Sequence, residues 1–262
     1  LKRTALLLFT LLLSATLTGR AQEVPFQEFQ AKVQKTYYSY EKDGVSGFSC
    51  GIQSALLERK LAEQGLTGVS QGFAKMALGL EYTLNYGPKG VSVTCPKAAP
   101  VGDAQKDKAI REGKEKARYW LEKGLGAWFF LSSPQGAQKV DPTVGAPKVE
   151  RTDKGWKMSL QRGEDQAVLH FDPSLTLTHA DLYPKGEDPV RVGLRFMKNP
   201  KGLQLQVAQA RYQGKLYKAQ AKYIKTRGAF LPEKFVFYQV DAKTKKAKAL
   251  DVLTFENPVT ER

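Results

Sequence analysis

Val190-Arg191-Val192-Gly193-Leu194-Arg195-Phe196-Met197 alternates: Val190, Val192, Leu194 and Phe196 fall on one side, Arg191 and Arg195 on the other. A period of two marks a strand with one face buried. The pattern repeats outward from this run. Asn199-Pro200-Lys201-Gly202 turns into Leu203 to Tyr212, and Gln213-Gly214 turns into Lys215 to Lys225. There Tyr217, Ala219, Ala221 and Tyr223 alternate with Lys218, Gln220 and Lys222. Upstream lie Gly155 to Gln161, Gln166 to Phe171 and Leu175 to Tyr183; downstream lie Phe235 to Val240 and Leu250 to Phe255. Turns this short join antiparallel neighbours, because parallel ones need long crossovers. Residues 155–256 therefore read as a meander of about eight strands.

Such a sheet needs cover on one face, and the preceding chain supplies helices. Phe26, Phe29, Val33 and Tyr37 recur at helical spacing between Pro25 and Tyr40, and Asp43-Gly44 breaks the pattern. Phe48 to Ser54 reads as a short strand. Leu56, Leu57 and Leu61 read as a helical turn or two ending at Gly65, and Phe73, Met76, Ala77 and Leu80 as another short stripe. Leu80 to Tyr86 and Val91 to Cys95 flank Gly87-Pro88-Lys89-Gly90 as a hairpin. Asp103 suits the N-cap of a longer helix carrying Ile110, Ala117, Leu121, Leu125 and Trp128. Gly113, Gly124 and Gly126 weaken that helix, or mark a close approach to a neighbour. Residues 22–134 thus form a mixed helical part, and 135–154 a linker rich in Pro, Gly and small residues. The fold class is α+β: a curved antiparallel half-barrel covered by N-terminal and mid-chain helices, in a single domain over 22–262.

Composition bears on compartment and partners. Lys2 and Arg3 precede an uncharged apolar stretch, Thr4 to Leu17, and Gly19-Arg20-Ala21 fits a signal-peptidase site. Residues 1–21 read as a signal peptide, which places the protein in the periplasm or outside the cell. The 262-residue chain has a formal net charge of +15, which becomes +12 once Lys2, Arg3 and Arg20 leave with the signal. That balance favours anionic partners. Export suits the pairing of the two cysteines, Cys50 and Cys95. A bridge would close a loop of about 45 residues and stabilise by roughly 3–4 kcal/mol; two buried free thiols are the alternative.

Motifs for catalysis are not found. His170 and His179 match neither HExxH nor a dense metal-ligand spacing, and only the fold decides whether their separate strands bring them together. There is no GxSxG elbow and no phosphate-cradling loop. No cofactor or metal is expected. The aromatic content points instead to binding. A sheet lined by Leu, Phe and Tyr and rimmed by Lys and Arg suits an acyl chain with an anionic head. The candidate chain contacts are Trp128, Phe129, Leu194, Phe196, Tyr217, Tyr223, Phe235 and Phe237. Arg191, Arg195, Lys218 and Lys222 are the candidate head contacts.

The order of parts resembles the periplasmic lipoprotein-carrier (LolA-like) superfamily: a signal, an amphipathic helix from Phe26 to Tyr40, a short strand, mid-chain helices and a long meander. Its C-terminal phrase is also similar, from Tyr223 through Gly228, then Leu231-Pro232, Phe235 to Val240 and Val252 to Phe255. Two cysteines, a longer middle section and the lack of a counterpart to that family's functional arginine depart from the pattern. The resemblance implies an unclosed barrel with a helical lid that carries acyl chains across the periplasm. The expectation is an exported, non-enzymatic binding protein for a lipid or acylated ligand, with an anionic membrane surface as a further partner and no nucleic acid. The alternative is an envelope-associated protein with a packed core that binds anionic polymer through its basic surface. A hydrolase acting through carboxylates outside any motif is a third reading.

Overall fold

The computed structural model describes residues 22–132, 146–226, 228–241, 244 and 246–262. Residues 1–21, read above as a signal peptide, and most of the stretch read as a linker fall outside them. So do residues 227, 242, 243 and 245. The elements are β1 (Gln22–Val24), α1 (Phe26–Thr36), β2 (Gly47–Ser54), α2 (Ala55–Glu63), α3 (Gly68–Ala77), β3 (Tyr82–Gly87), β4 (Gly90–Thr94) and α4 (Ala104–Ser132). Nine strands follow: β5 (Lys148–Thr152), β6 (Gly155–Arg162), β7 (Asp165–Phe171), β8 (Leu177–Tyr183), β9 (Val190–Asn199), β10 (Gly202–Tyr212), β11 (Lys215–Thr226), β12 (Ala229–Val240) and β13 (Ala247–Glu261).

All thirteen strands join one open antiparallel sheet, in the order β1-β5-β6-β7-β8-β9-β10-β11-β12-β13-β2-β3-β4. The α+β class and the antiparallel meander hold, and the stretch read as about eight strands carries eight, β6–β13; the sheet is wider because β1–β5 join it. Lys148-Val149-Glu150-Arg151-Thr152, assigned to the linker, is a strand. Its one apolar side chain, Val149, is buried, so too little alternation is visible to betray it. The short strand β2 pairs with β13, and the β3–β4 hairpin extends the sheet beyond it.

The helices cover one face. Phe29 and Val33 of α1 pack with Val149, Trp156, Met158, Leu169, Phe171 and Leu177 of β5–β8. Leu125, Trp128 and Phe129 of α4 pack over β2–β4 and β10–β13, against Phe48, Leu84, Leu205, Leu231, Phe235 and Phe255. Leu131, Leu194 and Phe196 touch both clusters and join them. Asp103 caps α4 as expected, its Oδ1 accepting from the amides of Gln105 and Lys106 at 2.9 and 3.1 Å. The glycines of α4 mark no close approach: a Cβ at Gly113, Gly124 or Gly126 would meet nothing within 4 Å.

Helix α1 ends four residues earlier than its stripe suggests. Tyr37 leaves the helix in an extended conformation and forms a parallel bridge to Leu203. Its hydroxyl donates to the Leu175 carbonyl at 2.9 Å and accepts the Leu177 amide at 2.5 Å. The chain can come this close because residue 202 is glycine. At φ +136° a Cβ there would lie 2.6 Å from the Tyr37 carbonyl carbon.

The expected disulfide is absent. Cys50 and Cys95 are free thiols, Cys50 buried and Cys95 half-buried. Cys50 lies on β2 and Cys95 just beyond β4, with β3 between them. Two strand spacings put about 9.5 Å between their backbones, beyond the reach of a bridge. An even cysteine count says nothing about the strand that separates the pair.

Candidate functional site

The side chains singled out for ligand contact divide between the two faces. Trp128, Phe129 and Phe235 are buried under α4; Leu194, Phe196, Tyr223 and Phe237 are half-buried against the same cluster, while Tyr217 lies outside both clusters. Trp128 Nε1 donates to the Tyr223 hydroxyl at 3.0 Å, and that hydroxyl donates to the Leu205 carbonyl at 2.7 Å. Each polar atom this helix carries into the core therefore finds a partner. A void of about 20 Å³ lies among Tyr38, Tyr40, Tyr86, Phe129 and Tyr223. That is space for about one water molecule, not for an acyl chain.

Arg191 and Arg195 alternate with Leu194 and Phe196, so they stand on the other, open face of β9. They do not rim the aromatic cluster. Arg191 is committed to Asp181, with Nε on Oδ1 at 2.6 Å and Nη2 on Oδ2 at 2.9 Å. Lys222 pairs with Glu233 at 2.8 Å. Arg195 and Lys218 do meet, with Thr178, Gly193, Val207 and Gln209, along a groove of about 340 Å³. Gly193 leaves its floor bare, since the cross-strand neighbours of this backbone are His179 and Gln209.

The same face carries a polar cluster. His170 of β7 pairs directly across from His179 of β8, and their rings stack with centroids 4.2 Å apart and planes 7° from parallel. Asp181 shares the parity of His179 along β8 and so joins it on that face; its Oδ2 lies 3.1 Å from His170 Nε2. Burial, with Lys157 and Arg191 nearby, pushes the His170 pKa down, against the pull of Asp181. Burial, His170 and Arg191 push His179 down as well. Both imidazoles are thus held toward their neutral form. The Arg191 hydrogen bonds keep the Asp181 carboxyl below the usual carboxylate range.

A second feature lies on α3. Its stripe was read with the same grammar as a core helix, yet Val69, Phe73 and Met76 are 77, 63 and 55% exposed, and no residue of the helix is buried. Polar bonds hold it to α2. Lys75 Nζ reaches Glu58 Oε1 at 2.8 Å, and Gln71 Nε2 donates to the Glu58 carbonyl at 2.9 Å. The positions i, i+4 and i+7 fall on one face, so these three side chains form a stripe turned to solvent.

Thiol chemistry finds no support. Burial raises the Cys50 thiol to about 12, which keeps it protonated at neutral pH. No helix among the described residues is long and apolar enough to cross a membrane. Compared with known protein families, with curated proteins and with solved structures, the chain finds no match.

Proposed function

We propose that this protein is an exported, non-enzymatic carrier that binds an amphiphile, an acyl chain with an anionic head, and that the exposed stripe of α3 makes the first apolar contact. The observation that carries the reading is the exposure of Val69, Phe73 and Met76 together on one short helix. Burying a large apolar side chain contributes about 1.5–3 kcal/mol, so a stripe left in water favours an apolar partner. The net charge of +12 that remains without Lys2, Arg3 and Arg20 complements an anionic head. The resemblance of its order of parts to lipoprotein carriers, with an open sheet under helices, supports the same class. The closed core of the free protein fits too, if the chain of the ligand displaces Trp128 and Phe129 from the sheet as it enters.

The test is equilibrium binding of a fluorescent fatty acid to delipidated protein spanning residues 22–262. Saturable uptake is expected, weakened at least about tenfold by Phe73→Asp. A protein that takes up no fatty acid, or a Phe73→Asp variant that binds as well as the parent, rejects the reading. A second reading, binding of anionic polymer, is favoured by one observation only: Arg195 and Lys218 line one groove on the open face. Its mark is steep loss of binding with salt, and its probe is a sulfated polysaccharide.

A further inference from the structure

The His170, His179 and Asp181 cluster is not used by the carrier reading. It lies on the opposite face from the helices, and its chemistry differs from that of a surface ion pair. We propose that these three side chains form a binding site for a borderline divalent transition-metal ion such as zinc, copper or nickel.

The donor atoms decide this. Thr178 has one hydroxyl proton, and its Oγ1 donates to the His170 carbonyl at 3.0 Å. The same oxygen lies 3.0 Å from His179 Nδ1. With its proton already spent, the hydroxyl can only accept there, so His179 carries its hydrogen on Nδ1. Its Nε2 then holds a free lone pair. A second-sphere bond on one ring nitrogen that frees the other is how proteins present a ligating imidazole.

His170 supplies the second donor. Its Nε2 is buried and has no hydrogen-bond partner of acceptable geometry, although Asp181 Oδ2 is only 3.1 Å away. A buried nitrogen left in that state costs free energy. A cation between it and the carboxylate satisfies both. One ligand atom from each of His170, His179 and Asp181 lies within 4.8 Å of the others. Bonds of about 2.0–2.1 Å in tetrahedral geometry place donors roughly 3.3 Å apart, and because an imidazole lone pair lies in the plane of its ring, the two rings must turn out of their parallel stack to close the set. Two imidazoles and one carboxylate suit zinc, copper or nickel, not the oxygen-seeking calcium or magnesium.

The surroundings set the limits. Arg191 already binds both Asp181 oxygens, and Lys157 pairs opposite His170, so two cations oppose the ion. Affinity therefore falls short of a closed structural site. Three protein donors leave a position for an exchangeable ligand. The groove holding Arg195 and Lys218 starts at Thr178 and Gly193, beside His179. An anion is the natural occupant of that position.

Titration of untagged, metal-free protein with Zn²⁺ by calorimetry tests the site. Saturable binding to a single site is expected, at about micromolar affinity or tighter, and at least about 100-fold weaker in a His170→Ala/His179→Ala double variant. Long-range proton–nitrogen NMR on the unsubstituted protein reads the same question without mutation. Zinc moves the Nε2 resonances of both histidines, and before zinc is added His179 shows its hydrogen on Nδ1. No saturable zinc uptake overturns the site. Binding unchanged in the double variant, or resonances that stay in place, does so as well.

Discussion

On β9, Leu194 and Phe196 enter the core beneath α4, while Arg191 and Arg195, their neighbours in sequence, stand on the open face. On β8 a bulge at Thr178 interrupts the alternation, so that Leu177 and Ala180 are both buried against α1 while His179 and Asp181 stand outside. One face is aromatic and packed beneath helices; the other is polar, grooved and carries groups with lone pairs to spare. A ligand that needs both an apolar chain site and a cationic head site cannot find them in one place within this sheet. Its thickness separates them. That comparison moves the apolar contact of a carrier to α3 and leaves the open face for small charged ligands.

Substitutions should separate the faces by size of effect. Phe235→Ala empties a fully buried position whose ring lies tilted against Trp128 at 4.9 Å and edge-on to Phe255 at 5.0 Å. A loss of about 3–5 kcal/mol in denaturant unfolding is expected; a loss below about 1 kcal/mol would mean that this face is loosely packed. Trp128→Phe keeps the ring and deletes the donor to Tyr223, so about 1–3 kcal/mol is expected. On the open face, Lys222→Ala breaks an exposed pair with Glu233 and should change stability by less than about 1 kcal/mol. A larger loss in the same unfolding assay would make that face structural.

pH sharpens the contrast further. His170 and His179 titrate below their ordinary 6.5 in the folded protein. The unfolded chain therefore takes up protons first, and stability falls as pH drops below about 6.5, until the folded pKa values are reached. Asp181 acts in a lower window: its depressed pKa stabilises above the ordinary 3.8, and that contribution is lost as pH falls through the folded value. Melting curves between about pH 7.5 and 5 should show the first decline. It should flatten in a His170→Gln/His179→Gln variant; an unchanged slope would assign the decline elsewhere. The smallest effect concerns the thiols. Alkylation under native conditions should modify Cys95 and spare Cys50 until the protein unfolds, and reductant should leave the melting temperature unchanged.

Much of the meander was legible because each strand from β6 to β13 has enough residues to show alternation between turn signals. Strand β5, with Val149 alone, does not. The pairing of β2 with β13 joins segments some 200 residues apart and leaves no local mark. The stripe of α3 shows the limit of periodicity. It reveals that Phe73 and Met76 share a face, not whether anything covers it. The histidines were visible as residues, and Asp181 could have been added from its parity with His179. Their meeting depends on the bulge between His170 and Phe171, which sets the hairpin register and has no sequence signature here.

The bridge of Tyr37 to Leu203 has a consequence for how the chain acquires its shape. Residues near the start find their partners only after the chain has been made as far as Leu175, Leu177 and Leu203, and β2 must wait for β13 at the very end. Loop closures of this length slow folding, because their entropy is lost before any contact repays it. During synthesis Phe29 and Val33 of α1 find cover once β5–β8 have formed, whereas Phe48 on β2 waits for the last strand. The β2–β4 segment is the last part to lock, and a chain cut short before β13 leaves β2, β3 and β4 with no sheet to join.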